Sequence, residues 1–174
     1  MLSLFSTNSD KAGFRLQYME VYNWGTFHDK IFRINPKGNN SLLTGANASG
    51  KSTFIDALLT LLVPVKKDRF YNQSSGVEKK GDRTEETYVC GHYGNIQREG
   101  ELSTTTQTLR GKDTYSVLLA SFSNTDQKSI TLFQVRWFAS DGKLNRAFGI
   151  AYVPLDIEKD FSQFDGKGNW KKRL

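Results

Sequence analysis

Four residues in the first third of the chain have the types and the spacing that phosphate binding requires, namely Gly45, Gly50, Lys51 and Ser52. They fit the pattern G-x-x-x-x-G-K-[ST], which is the P-loop. The glycines permit positive φ angles and let the backbone approach a ligand closely. The lysine ammonium of such a loop reaches the β- and γ-phosphates, and the serine hydroxyl binds Mg²⁺. The pattern therefore predicts a site for ATP and Mg²⁺.

The segments on either side of the pattern are those that a phosphate-binding loop needs. Leu42 and Leu43 form a short apolar run, which predicts a buried strand leading into the loop. Residues 54–62 are apolar enough for a packed helix, which Pro64 should end. A strand, a loop and a helix in this order direct backbone N–H groups at one point, where an anion is held. The alternative is a chance match in a glycine-rich turn, and these flanks disfavour it.

The composition is that of one folded domain. The chain has 174 residues, a formal charge of +6 and a pI near 9.4. This length suffices for one hydrophobic core, and no apolar run approaches the length of a membrane span. The single cysteine, Cys90, excludes an internal disulfide and fits a reducing cytosol. The basic excess is compatible with nucleic acid or another polyanion as a partner.

Alternating apolar residues predict antiparallel strands before and after the loop. Residues 14–21 and 27–34 should pair as a hairpin. Further strands are predicted at 115–122, 130–139 and 147–153, followed by a short helix at 155–164. A P-loop that follows a β-meander is typical of ABC and SMC ATPase heads. The predicted fold is therefore α/β, a P-loop NTPase of the ABC/SMC head type, with an antiparallel β-meander and a mixed sheet around the P-loop helix.

The residues between the P-loop helix and position 87 are polar and basic. We interpret most of Lys66–Glu86 as a solvated surface loop. Cys90 and His92 are two possible metal ligands without a second pair, so a packed thiol and a surface imidazole are the favoured interpretation.

The chain lacks the acids that complete an ATPase. Hydrolysis needs an acidic group at the end of an apolar strand and a carboxylate that activates the attacking water. Asp141 follows an apolar run, but Arg136 interrupts that run and Asp141 lies in an Asp-Gly turn, so we interpret it as a hairpin corner. A Leu-Ser-Gly-Gly segment, which closes over the γ-phosphate in cassette ATPases, is absent. The sequence predicts half of an active site, with no complete catalytic set.

Three segments of the sequence resemble one group of SMC-like ATPases. They are Tyr22-Asn23-Trp24-Gly25-Thr26-Phe27, the P-loop with its flanks, and Asp82-Arg83-Thr84 followed by Thr87-Tyr88-Val89-x-Gly91-x-Tyr93. In this order they are similar to the N-terminal part of the head of Wadjet-type SMC-like proteins, the JetC, MksF or EptC group. The similarity covers roughly residues 14–164. The first and last segments are the specific ones, because the P-loop occurs in many families.

The resemblance implies a flexible leader at 1–13, an N-terminal head lobe at 14–164 and the start of a coiled-coil arm at 165–174. A C-terminal lobe of the same protein would supply the missing acids. ATP would drive dimerisation with a second SMC-like subunit, and the complex would extrude or translocate DNA in plasmid defence. Further implied partners are kleisin and winged-helix subunits and a nuclease, with no membrane. The implied location is cytoplasmic, on the nucleoid or on plasmids.

The resemblance also assigns site residues. The nucleotide contacts would be Gly45, Ala46, Asn47, Ala48, Ser49, Gly50, Lys51, Ser52 and Thr53, with Ser52 also on the metal. Arg83 lies where such heads place an arginine near phosphates or DNA, with a solvated cation as the alternative. Gln163 would be a second Mg²⁺ contact. Asn23 and Trp24 could approach the nucleotide from the first hairpin, although packing is the favoured role of Trp24.

Two other functions stay open. An SbcC-type DNA-repair ATPase lobe would use the same phosphate chemistry with a different nuclease. A nucleotide-binding interaction module would dock onto a DNA-bound complex without turnover. Full-length ATPase activity is thus an expectation, and we expect this chain by itself to be inactive.

Overall fold

A computed structural model of the chain describes residues 13–63, 65–69, 71, 83–97 and 104–162. The strands are β1 (Arg15–Trp24), β2 (Phe27–Ile34), β3 (His92–Gln97), β4 (Thr104–Thr108), β5 (Tyr115–Ser123), β6 (Ser129–Phe138) and β7 (Leu144–Ala151). The helices are α1 (Lys51–Leu62), α2 (Glu85–Cys90) and α3 (Ile157–Asp160), and a 3₁₀ turn spans Lys66–Asp68. The predicted leader, except Gly13, and the predicted arm at 165–174 lie outside the described residues.

Five strands form one antiparallel sheet in the order β2-β1-β5-β6-β7, and β3 pairs with β4 separately. The β1–β2 hairpin and the three strands β5, β6 and β7 were predicted from sequence and are confirmed, whereas the predicted third strand of the meander before the P-loop is absent from the described residues. The corner between β6 and β7 is also confirmed; there Gly142 has a φ of 76° and the Asp141 carboxylate accepts the Lys143 N–H at 3.0 Å. The predicted α/β fold class with antiparallel strands against the P-loop helix is confirmed. The predicted mixed sheet is wrong, because every described strand pair of the main sheet is antiparallel.

The sheet packs on both of its faces. Successive residues of a strand point to opposite faces, so Leu118 joins the cluster under α1 and α2 while Val117 and Leu119 join the other. The second cluster is closed by Ile157 of α3, a helix shorter than predicted. Within the described ranges, no helix has the length and hydropathy of a membrane span.

Local signals set the limits of the helices. α1 begins after Gly50, whose φ of 89° is left-handed, and ends before Val63, which is extended. Val63 precedes a proline, and the residue before proline avoids helical angles. α2 begins with a capping box between Thr84 and Thr87 and ends at Gly91, which has a φ of 68°.

The predicted strand at Leu42 and Leu43 is wrong. The two residues are extended chain without strand pairing, and their exposed fractions are 87% and 38%. A strand needs a neighbour to bond its backbone groups, and no described strand lies beside this segment. The apolar run alone therefore did not suffice to form the element.

The interpretation of Lys66–Glu86 as solvated loop is only partly correct. Lys66 and Lys67 are exposed, as predicted. Arg69 and Glu85 are only 7% and 5% exposed, and they form a buried ion pair with each other. Positions 70 and 72–82 lie outside the described residues.

Candidate phosphate-binding site

The loop before α1 leaves the N-terminus of that helix open. Residues 41–49 are exposed, and the first intrahelical bond runs from the Phe54 N–H to the Gly50 carbonyl at 2.9 Å. The N–H groups of the three preceding residues have no partner within the helix. Among the described residues, no side chain caps Gly50, and the first turn contains no acidic residue. Since a helix N-terminus carries partial positive charge, this end of α1 is suited to an anion.

The Lys51 side chain bends back into the loop. Its Nζ donates to the Gly45 carbonyl at 2.6 Å and to the Ala46 carbonyl at 2.7 Å, with the Ser49 hydroxyl at 3.5 Å. Ser52 is exposed at the start of the helix. The structure thus brings the P-loop residues named from sequence into one place. Their roles as nucleotide and metal contacts stay predictions.

The turn between β1 and β2 lies directly against this loop. A Cβ atom at Gly25 would be 2.4 Å from the Thr53 Cγ2, and one at Gly50 would be 2.8 Å from the Phe27 Cζ. Both glycines also have positive φ angles, which side chains disfavour. Each position therefore requires glycine for its backbone conformation and for its close contact. Trp24 is fully buried and stacks on Tyr88, with the two ring centroids 4.7 Å apart. This confirms packing as its role.

A buried carboxylate lies one helical turn beyond Ser52. Asp56 is 1% exposed; it accepts a hydrogen bond from the Tyr88 hydroxyl and has the Arg83 Nη1 at 3.7 Å. Burial and the Asp56 carboxylate raise the pKa of Tyr88 above its ordinary value. Arg83 also donates to the Tyr88 hydroxyl at 3.5 Å, and its side chain is 24% exposed. Arg83 is therefore a partly buried member of this cluster, and its contact with phosphate or DNA stays a prediction.

A second buried carboxylate, Glu85, lies among three arginines. The Arg136 Nε is 3.2 Å and the Arg146 Nη1 3.5 Å from its oxygens, and Arg69 is in contact. Burial raises the pKa of Glu85, but Arg136 and Arg69 outweigh it, so the pKa lies below its ordinary value. Arg136 also donates to Gln134 at 2.6 Å. An arginine inside an apolar strand was the signal in the sequence for a buried ion pair.

Cys90 and His92 have the roles that the sequence predicted for them. Cys90 is buried, and burial raises the pKa of its thiol, whereas His92 is exposed. The packed thiol and the surface imidazole are confirmed. In the ranges that the structure describes, no cluster of three or more potential ligands could hold a metal ion. Gln163 lies outside those ranges.

One functional candidate, Arg110, was missed by the sequence analysis. Its guanidinium is buried under the β1–β2 turn and donates to four backbone carbonyls. Neither its neighbours in sequence nor its spacing from the P-loop distinguishes it from the other arginines, because its acceptors are main-chain atoms far away in the chain.

Comparison with known proteins agrees with the loop geometry. Residues 16–78 match a family model described as the P-loop containing region of AAA domain. No curated protein matches the chain. A solved structure from work on the ATP-driven dimerization and DNA-stimulated activation of SMC ATPases covers 92% of this chain and 96% of its own. Its TM-score is 0.48 and its sequence identity 14%, a level at which nothing about activity follows. The chain contains a P-loop nucleotide-binding region that begins in β1 and extends beyond α1.

Proposed function

We propose that this protein is the ATP-binding N-terminal lobe of an SMC-like ATPase head of the Wadjet type. The observation that carries the proposal is the open N-terminus of α1, with Lys51 folded into the preceding loop and no acidic residue in the first turn. These are the features that a triphosphate requires, because its charge is balanced by the ammonium and by the helix N-terminus.

The residues present fit ATP and Mg²⁺. Lys51 would exchange its two carbonyl partners for phosphate oxygens, and the exposed Ser52 hydroxyl would hold the metal ion. The metal neutralises charge on the phosphates when bound. Gly25 and Phe27 would support the bound state of the loop, since they lie against Thr53 and Gly50 in the structure.

Exposed apolar side chains on the P-loop segment and on α1 support a second lobe. Leu42, Ile55 and Leu62 are 87%, 51% and 47% exposed, on the P-loop segment and on α1. A C-terminal lobe of the same protein would cover them and give Leu42 and Leu43 a strand to pair with. It would also bring the acidic residues needed for hydrolysis.

The two most specific segments of the family resemblance support the Wadjet assignment. Trp24 stacks on Tyr88, and the Gly25 N–H donates to the Tyr88 carbonyl at 2.7 Å, so the segments meet beside the P-loop. In such a complex the head would dimerise on ATP with a second SMC-like subunit and drive DNA loop extrusion in plasmid defence. Its other partners would be kleisin and winged-helix subunits and a nuclease, in the cytoplasm on nucleoid or plasmid DNA.

The purified chain is expected to bind ATP–Mg²⁺ weakly and to hydrolyse it only at the background rate. The physical reason is that the P-loop supplies the phosphate contacts but not the carboxylates that position and activate water. Calorimetry measures binding, and phosphate release measures turnover. Turnover that disappears in Lys51→Ala would contradict the half-site, and the absence of binding would contradict the proposed function.

DNA binding, if it uses the basic stretch after α1, should fall steeply with salt because phosphate contacts release counterions. Replacing the exposed Lys66 and Lys67 by glutamine should lower the slope of log K against log salt by about 0.9 for each phosphate that is no longer neutralised. Fluorescence anisotropy with a short DNA duplex measures the slope. Replacing the exposed Lys30 on β2 and Lys128 in the loop between β5 and β6 is the matched control. Equal slopes in both pairs would exclude this surface.

A further inference from the structure

The Arg110 guanidinium donates hydrogen bonds mainly to backbone carbonyls. Its Nε donates to Val89 at 2.8 Å, and its Nη2 donates to Tyr88 at 3.0 Å and to Gly25 at 2.8 Å. Its Nη1 donates to Phe27 at 3.1 Å. The group thus connects the C-terminal end of α2 with the turn between β1 and β2.

This connection is built into the fold from several sides. The Arg110 N–H bonds to the Cys90 carbonyl at 3.0 Å, which fixes the arginine backbone beside α2. A Cβ atom at Gly91 would lie 2.7 Å from the Arg110 Nη2 and 2.7 Å from the Gly25 oxygen. Gly91 therefore leaves the space that the guanidinium occupies. Burial lowers the pKa of Arg110 to about 10, so the group stays charged at neutral pH.

The turn that Arg110 holds is the one that contacts the P-loop. Gly25 lies against the Thr53 methyl group, and Phe27 lies against Gly50 at the start of α1. The two carbonyls that Arg110 binds in this turn belong to these same two residues. A shift of the turn would therefore change the support of the loop at both contacts.

We propose that Arg110 is a positioning residue for nucleotide binding, which holds the Gly25–Phe27 turn against Gly50 and Thr53 and so sets the shape of the P-loop. This inference rests on the proposed function of the loop. Arg110 itself would not touch the nucleotide. Lysine cannot replace it, because a single ammonium cannot reach four carbonyls that face a planar guanidinium.

The test compares Arg110→Lys with Arg136→Lys. Both arginines are buried, but Arg136 contacts Glu85 and Gln134, and Gln134 donates to the Thr60 and Leu61 carbonyls at the far end of α1. Both variants should unfold at lower temperature. ATP–Mg²⁺ binding should weaken about tenfold in Arg110→Lys only, the lower end of the usual cost of losing a group that orients a binding residue without touching the ligand. Affinity is measured by calorimetry and by the shift in melting temperature on adding ATP, which reports binding to the folded fraction.

A further variant keeps the test open if Arg110→Lys does not fold. Phe27→Leu withdraws the ring from Gly50 without touching the arginine, and it should weaken ATP binding in the same direction. Equal ATP affinity in Arg110→Lys and Arg136→Lys would overturn the inference. If Arg110→Lys is unfolded, unchanged ATP affinity in Phe27→Leu would overturn it. Neither result would contradict the proposed function. Wild-type protein that does not bind ATP would overturn both the inference and the proposed function.

Discussion

Replacing Lys51 by alanine is expected to weaken ATP–Mg²⁺ binding about 100-fold, because a charge-assisted phosphate contact contributes roughly 3 kcal/mol. The folded protein should lose little stability. Among the described residues, the Lys51 ammonium bonds to the Gly45 and Ala46 carbonyls and to Ser49, all in an exposed loop where water can replace it. Calorimetry gives the affinity, and thermal unfolding without nucleotide gives the stability.

Two comparisons make this prediction specific. Lys30→Ala removes an equal charge from an exposed position on β2 and should leave ATP binding unchanged. ADP should be affected less than ATP in Lys51→Ala, since the lysine of a P-loop reaches the β- and γ-phosphates. Unchanged ATP affinity in Lys51→Ala would show that the loop does not hold a triphosphate.

Replacing Glu85 by alanine is expected to lower the free energy of unfolding by about 3–5 kcal/mol, the usual cost of removing one partner of a buried ion pair. Within the described residues, the Glu85 carboxylate lies between Arg69 and Arg136, whose side chains are 1% and 0% exposed. Without it, both guanidiniums would remain buried beside each other. Urea unfolding followed by circular dichroism measures the change.

The neighbouring residue is the matched control for this change. Glu86 also begins α2, but its contact with Lys112 at 3.4 Å is solvent-exposed, so Glu86→Ala should cost less than about 1 kcal/mol. Similar losses in the two variants would contradict the buried network.

The effect of Glu85 should also depend on pH. Its pKa is lower in the folded than in the unfolded protein, so its contribution is complete at neutral pH and is lost as the pH falls through the folded-state value, below 4.5. The difference in unfolding free energy between wild type and Glu85→Gln should therefore shrink in that acidic range. A difference that is constant down to about pH 3 would contradict the depressed pKa.

Local chemistry explains which elements could be predicted. The strands of the main sheet alternate apolar and polar residues, and an Asp-Gly pair such as Asp141-Gly142 between two apolar runs is typical of a hairpin turn. The P-loop was found because its glycines, lysine and serine are adjacent in sequence. The strand at Leu42 failed for the opposite reason, since a strand depends on a neighbour that two apolar residues do not specify.

The P-loop, the strands of the main sheet and the helix that ends before Pro64 could be predicted from the amino-acid sequence, because each depends on residues close together in the chain. The contacts of Glu85 with Arg136, 51 positions apart, and of Arg110 with Gly25, 85 positions apart, depend on the complete fold. The partners of a buried charged side chain are determined by where the folded chain places carbonyl and carboxylate groups. That placement follows from packing of the whole sheet, and no short pattern of residues encodes it.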